Sequence, residues 1–188
     1  MAKPTSTGTT AIKIAKPKYI LIQPWENATT KGTGTVYSLS DVLRDSTSIS
    51  TADPNTSNIE NELSDTPIRQ NVTLGETTFS TTLEDIQTNV LKDICGFSVD
   101  ATSGKLYAPK SYSDKFAEIT IVMDQGAANY YAIVLPKVQL NSKLILESLS
   151  SSMLGVQISG TCLVTEVTDG ENTYECFRYH NPAYTLPA

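Results

Sequence analysis

The chain holds a single histidine, His180, and only three cysteines, Cys95, Cys162 and Cys176. A hydrolytic triad needs a nucleophile, a base and an orienting group that converge in space, and one imidazole near the end of the chain gives little to build on. A metal centre needs several His, Cys or carboxylate ligands at matched spacing. The cysteines are far apart and no Cys-x-x-Cys occurs, so reduced thiols are expected. Neither GxxxxGK[ST] nor GxGxxG is present, so the two common phosphate cradles are missing. The stretch from Asp53 to Glu60 has Pro54 and no glycine at its middle, a poor calcium loop. No apolar run approaches the roughly 20 residues of a membrane helix. The opening MAKPTSTGTTAIKIAKPK has no apolar signal core, so secretory export is not expected. The Asn-x-Ser/Thr triplets at Asn27, Asn55 and Asn71 then read as chance matches in a threonine-rich chain. These absences lead to one expectation: not an enzyme, with no catalytic residue, no cofactor and no metal.

Charge is also sparse. Charged residues make up 18% of the 188, with a net charge of −6, and that balance argues against tight binding to duplex nucleic acid. Apolar residues make up 39%, enough for a core and too many for wholesale disorder. The length fits one domain with short extensions.

What the chain has is alternation. In 131–147, Val134, Val138, Leu140, Leu144 and Leu146 fall at even positions, and Lys137, Gln139, Asn141 and Lys143 at odd ones. In 154–167, Leu154, Val156, Ile158, Cys162 and Val164 share one parity, and Gln157, Ser159, Thr161 and Thr165 the other. A period of two means one buried and one wetted face. Both runs exceed the usual strand length of about five or six residues, and a serine-rich turn joins them. Long hairpins with one polar face often build something larger than their own domain.

The remaining chain supplies more strands. The run 18–23 reads as a first strand ended by Pro24, 27–34 as turn, 35–50 as an extended strand and 51–58 as a loop turning at Asp53-Pro54-Asn55. Further strands are expected over 59–64 and 69–81, with Gly75 marking a bulge or turn, and over 117–124. A last strand at 173–179 pairs through the turn Asp169-Gly170. Leu83, Ile86, Val90, Leu91 and Ile94 recur at helical spacing, with Thr81 or Thr82 as cap, Glu84 and Asp85 in the first turn and Gly96 after the last. The expected fold class is mainly β: an antiparallel sandwich or barrel with one packed helix over about 83–95. Its expected divisions are an N-terminal arm (1–17), a β domain (18–180) and a C-terminal tail (181–188). Trp25 reads as core or interface packing.

Several phrases, in this order, resemble bacteriophage major tail tube proteins: YSLSDVLRDSTSIS (37–50), NIENELSD (58–65), NVTLGETTFSTTLEDIQTNVLKDICGF (71–97), YAIVLPKVQLNSKLILES (131–148) and VQISGTCLV (156–164). Tailocin tubes and type VI secretion tubes share that architecture. The resemblance implies stacked hexameric rings forming a hollow conduit for DNA ejection, assembled in the host cytoplasm and carried in the virion. It implies self-association, contacts with tip or baseplate, terminator and sheath proteins, passage of DNA without specific binding, and no membrane anchor. Closing the hairpins into a shared barrel would remove free strand edges. Asp41, Asp45, Glu60, Glu62 and Asp65 are then candidates to face the lumen, with rim or solvated-loop positions as the alternative. Ala52, Asp53, Pro54 and Asn55 are candidates for contact between rings, as are both chain ends. Lys137, Gln139, Lys143, Gln157 and Thr161 are candidates for strand contacts between subunits. A carbohydrate-binding or adhesin sandwich, and a head decoration or tail terminator subunit, remain alternatives.

Overall fold

The computed structural model describes residues 17–39, 42, 45–61, 64–83, 88–110, 114–126, 129–141, 143–145 and 155–187, with backbone alone for 58–61, 64–70 and 143–145. Of the arm expected over 1–17, residues 1–16 lie outside them and Pro17 already opens the first strand.

The first strand, β1 (Pro17–Pro24), is the expected apolar run closed by proline. The segment read as one strand over 35–50 is instead two short ones, β2 (Tyr37–Leu39) and β3 (Ser48–Thr51). Between them Asp45 sits at a φ of 61°, a left-handed conformation that interrupts an extended run. The loop expected over 51–58 shrinks to 52–54, because β4 (Asn55–Asn61) already pairs with β5 (Ser64–Thr73). Gly75 lies in the turn between β5 and β6 (Thr77–Leu83), where a Cβ would sit 1.9 Å from the Ala52 carbonyl oxygen. Only glycine allows these two backbones to cross so closely.

Of the helix expected over about 83–95, the described part is α1 (Thr88–Asp93), and 84–87 lie outside the described residues. Leu83 shares a core with Val90, Leu91 and Ile94 but reaches it as the last residue of β6. The β-branched run before it carries the strand that far. Thr81 and Thr82 are therefore strand residues and not caps: the Thr81 and Thr47 hydroxyls meet at 2.9 Å, and the Thr82 amide donates to Ser46 Oγ at 3.1 Å. Glu84, Asp85 and Ile86 lie outside the described residues. Gly96 has the expected left-handed φ, 77°, and the Phe97 amide closes across it onto the Leu91 carbonyl.

Two small strands follow, β7 (Ser98–Val99) and β8 (Leu106–Tyr107), around a turn in which Asp100 accepts from the Thr102 and Ser103 amides. Then come β9 (Lys115–Gly126), β10 (Asn129–Leu140), β11 (Lys143–Ile145) and β12 (Gly155–Cys162). The hairpin β13 (Thr165–Asp169) and β14 (Asn172–Cys176) turns at Gly170, whose φ is 62°. The last strand is β15 (Tyr179–Tyr184). It pairs with β10 across the boundary expected at 180/181.

The fold is mainly β, with antiparallel pairing throughout the described strands. One sheet runs β2-β1-β9-β10-β12-β6-β3, with β11 beside β12 and β15 beside β10. Strand β10 is long because three strands use it. On one edge β9 follows it from Asn129 to Leu140. On the other, β15 takes Tyr130 to Val134 and β12 takes Val138 to Leu140.

A bulge between Leu135 and Val138 separates those halves, and it holds Pro136, which has no N–H for a ladder. One extra residue reverses the side-chain alternation. The expected shared face of Val134 and Val138 is thus corrected: Val138 enters the main core, whereas Val134 enters a second cluster on the opposite side. The expected strand 154–167 is also divided. It ends at Cys162, and Val164, expected inside, is 61% exposed.

The main core gathers Ile20, Ile22, Phe79, Leu83, Ile119, Leu135, Val138, Val156 and Ile158 with Val90 and Leu91 of α1 and Ile94 just past it. Leu39 of β2 and, at its margin, Ile49 of β3 join the same cluster from the two ends of the sheet, together with Val90 and Leu91 of α1. The second cluster, Leu21, Val122, Ala132 and Val134, lies under Tyr179, Tyr184 and Leu186. Full burial of an aliphatic side chain is worth about 1.5–3 kcal/mol. The hairpins β4–β5, β7–β8 and β13–β14 are each a separate two-stranded sheet, none of their described side chains is in either cluster, and isolated hairpins are marginal in water. Each bears exposed apolar side chains at or next to its strands: Val72 and Leu74, Leu106 and Tyr107, Val164 and Tyr174.

Candidate functional site

The strands that bury Phe79, Leu83, Val156 and Ile158 on one side present hydroxyls and amides on the other. The alternation in β6 puts Thr77, Phe79, Thr81 and Leu83 inside and Thr78, Ser80 and Thr82 outside. Register aligns the neighbours on the same face: Thr82 opposite Gln157, Ser80 opposite Ser159, and Thr78 opposite Thr161. Strand β3 adds Ser48 opposite Ser80 and Ser50 opposite Thr78, and β10 adds Gln139 opposite Thr161. The result is a continuous polar surface across four strands, with a concavity of about 510 Å³ bordered by Thr78, Gln139, Ser159 and Thr161.

Hydrogen bonds fix this surface. Gln157 Nε2 donates to Ser80 Oγ at 3.4 Å, and Ser159 Oγ donates to the Asn141 carbonyl at 2.8 Å. Two carboxylates stand at its border. Glu76 accepts from Thr161 Oγ1 at 2.7 Å, and Asp114 accepts from Gln139 Nε2 at 3.1 Å. Neither drew notice in the sequence; the signal was register, since Glu76 precedes β6 and Asp114 precedes β9. Gly160 lies within the surface, and a Cβ there would sit 2.3 Å from the Gln139 carbonyl oxygen and 2.7 Å from Val138 Cγ1. The close β10–β12 join requires that glycine.

The residues singled out from sequence fall into separate places. Gln139, Gln157 and Thr161 share the polar surface. Lys143 is in β11, opposite Gln157. Lys137 is elsewhere: the bulge turns its ammonium onto the Ala28 carbonyl at 2.6 Å, within 5.1 Å of the Trp25 ring centroid and 5.2 Å of the Phe116 ring centroid. Trp25 Nε1 in turn donates to the Pro136 carbonyl at 3.1 Å. Lysine 137 thus secures the 24–31 loop of its own chain. Cation–π contacts of this kind are worth about 0.5–2 kcal/mol. Lys137→Ala is expected to lower stability by about 1 kcal/mol and to speed proteolysis within 24–31, with Lys137→Arg retaining most of the stability; limited proteolysis alongside urea unfolding reads both.

Of the acidic candidates, Asp41 and Glu62 lie outside the described residues. Asp45 is exposed at the turn before β3, and Glu60 and Asp65 are on the β4–β5 hairpin, away from the main sheet. None of these three is on the polar surface. Ala52, Asp53, Pro54 and Asn55 are all exposed at the base of that hairpin.

Titratable groups elsewhere are tied to structure. Tyr131 and His180 share a hydrogen bond that joins β10 to β15, and burial lowers the His180 pKa. Burial pushes the Cys162 thiol up to about 11, which keeps it protonated at neutral pH. None of the three cysteines forms a disulfide. Among the described residues no cluster of His, Cys, Asp or Glu could hold a metal ion, and no helix is long and apolar enough to cross a membrane. No protein-family model matches the chain, and no curated protein matches it.

Proposed function

We propose that this chain is a structural subunit, with no catalytic role, that assembles into stacked hexameric rings forming a hollow tail tube. The carrying observation is the four-strand hydroxyl-and-amide surface, backed by a dry core and bordered by Glu76 and Asp114. Such a surface suits the wall of a water-filled conduit. Its described side chains are hydroxyls and amides, with Lys143 beside them opposite Gln157, and a net acidic subunit repels phosphates weakly, so DNA slides past without being held. The ordered phrases resembling tail tube proteins support the same reading. So do the apolar side chains on three separate hairpins, which would be covered by neighbouring copies. In this proposal the subunit joins a virion after assembly in the host cytoplasm and meets tip or baseplate, terminator and sheath proteins at the ends and outside of the tube.

Negative-stain electron microscopy of concentrated protein tests it. Hollow tubes or six-fold rings are expected. Dispersed monomers that persist across salt and concentration, and after incubation with tail-tip fractions, would overturn it.

A further inference from the structure

A pocket of about 830 Å³ opens between the end of β1, the loop after it and the segment that follows α1. Trp25, Tyr37, Phe97 and Val99 give it apolar walls, and Lys92 and Lys115 bring two ammoniums. Two carboxylates share the lining, Glu26 and Asp93. Asp93 is engaged, since it accepts from the Tyr37 hydroxyl. The ion pairs found among the described residues are Lys18–Asp124 and Lys31–Glu118. Neither Lys92 nor Lys115 is therefore paired with a described carboxylate.

The opposite charge stands equally unmatched on the β13–β14 hairpin. From Thr165 to Cys176 it carries Glu166, Asp169, Glu171 and Glu175 and no lysine or arginine. Val167 and Tyr174 pair on the side that meets Tyr179 and His180 of β15. Glu166 and Glu175 pair on the other side and are exposed, and like charges directly opposite cost stability. Asp169 and Glu171 flank Gly170 at the exposed tip.

The two features belong to different edges of the fold. The hairpin is tethered at one end by β12 and at the other by β15, and both of these pair with the same edge of β10. The pocket lies past the opposite edge of β10, beyond β9, where the Trp25 amide donates to the Phe116 carbonyl. The hairpin packs beside β15, and none of its residues is in the pocket lining. Within one copy the two are apart, so the complement comes from a second copy. We propose that the pocket holding Lys92 and Lys115 is the docking site for the tip of the β13–β14 hairpin of a neighbouring copy, with Asp169 and Glu171 meeting the two ammoniums. Hairpin into pocket is a head-to-tail contact: each copy offers one of each, and the contacts close as a ring or continue as a stack. The inference rests on the assembling reading above, to which it adds the residues of one contact.

Paired charge reversal in the full-length protein tests it. Lys92→Glu with Lys115→Glu makes a copy acidic at both places, and Asp169→Lys with Glu171→Lys makes a copy basic at the pocket and at the hairpin tip. Each variant alone should lose self-association severalfold in sedimentation velocity, with the fold checked by circular dichroism. An equimolar mixture of the two should recover it, because every hairpin tip then meets a pocket of opposite charge. Lys92→Glu alone serves if reversing the half-buried Lys115 disturbs the fold. Glu26→Gln, which removes the lining carboxylate that no described cation holds, should strengthen association. A zero-length carbodiimide applied to mixed ¹⁴N and ¹⁵N wild-type protein should link Lys92 or Lys115 of one copy to Asp169 or Glu171 of another. The yield should fall severalfold in about 1 M salt, where exposed charges are screened. Rings or tubes that form from either variant alone, or without those mixed-isotope links, would overturn the docking inference and leave the proposed function standing. Mixed-isotope links in short oligomers that never form hollow tubes would support the docking and count against the proposed function. A wild type that neither associates nor cross-links would overturn both.

Discussion

Gly160→Ala is expected to destabilise the chain by about 2–3 kcal/mol, the upper range for overpacking a tight site. The added methyl would meet the Gln139 carbonyl oxygen at 2.3 Å and Val138 Cγ1 at 2.7 Å. A side chain can rotate away, but a backbone carbonyl in a ladder cannot. Relief would require β12 to draw back from β10, where Val138, Gln139 and Leu140 pair with Cys162, Thr161 and Gly160. Those three pairs, flanked by the backbone hydrogen bonds Asn141 to Ser159 and Leu163 to Lys137, join β10 to β12. Parting them exposes Val138 and Ile158, which are fully buried. Urea unfolding should show a lower midpoint with an unchanged slope if native compactness is kept. A shift below about 0.5 kcal/mol, the range of neutral surface changes, would mean that this junction yields easily and is not the rigid seam of the polar surface.

A larger loss is expected from Phe79→Ala, about 3–5 kcal/mol. Phe79 is 1% exposed and stands in the main core, directly behind the polar surface. Removing its ring leaves a cavity that Leu83, Ile158 and the helix residues can only partly collapse into, because strand pairing fixes their backbones. The informative control is the next residue. Thr78 points to the opposite, exposed face, so Thr78→Ala should change stability by no more than about 0.5 kcal/mol. Paired denaturation curves for the two variants read the alternation of β6 directly. Equal losses would place β6 one residue out of register. If the polar surface lines a conduit, Thr78→Ala should also leave assembly intact, whereas Phe79→Ala should reduce it through loss of folded subunit.

The antiparallel class, the apolar side of β12 and the turn at Gly170 were readable from period-two patterning and turn chemistry. Gly170 adopts a positive φ, as a turn glycine between strands would. What the sequence hid was chiefly a matter of where alternation stops. Pro136 stood in plain view inside an apolar run, yet the parity of Val134, Val138 and Leu140 stayed regular in sequence while the bulge reversed it in space. A bulge adds one residue, and counting cannot reveal which residue is extra. Leu83 was assigned to the helix because it falls at the right spacing from Val90, Leu91 and Ile94. A strand that ends beside a helix can deliver its last side chain to the same core, so burial alone did not distinguish them. The polar surface was half legible. Gln139, Gln157 and Thr161 followed from alternation, but Glu76 and Asp114 are adjacent to it only through pairing across long sequence separations. Lys137 belonged by parity with Gln139 and was turned toward Trp25 by the bulge in which it sits.

The division of one β10 edge between two strands also sets how the chain bears a load. A pull on the C-terminal end would first part Tyr184 from Tyr130 and proceed toward the Tyr179–Val134 pair. Such an end-on pull opens the ladder like a zipper, with only a few bonds strained at once. Just beyond Val134 stands the bulge, and past it the edge belongs to β12. The tear therefore has a built-in stop: β15 can come away as a strip while the seam behind the polar surface stays closed.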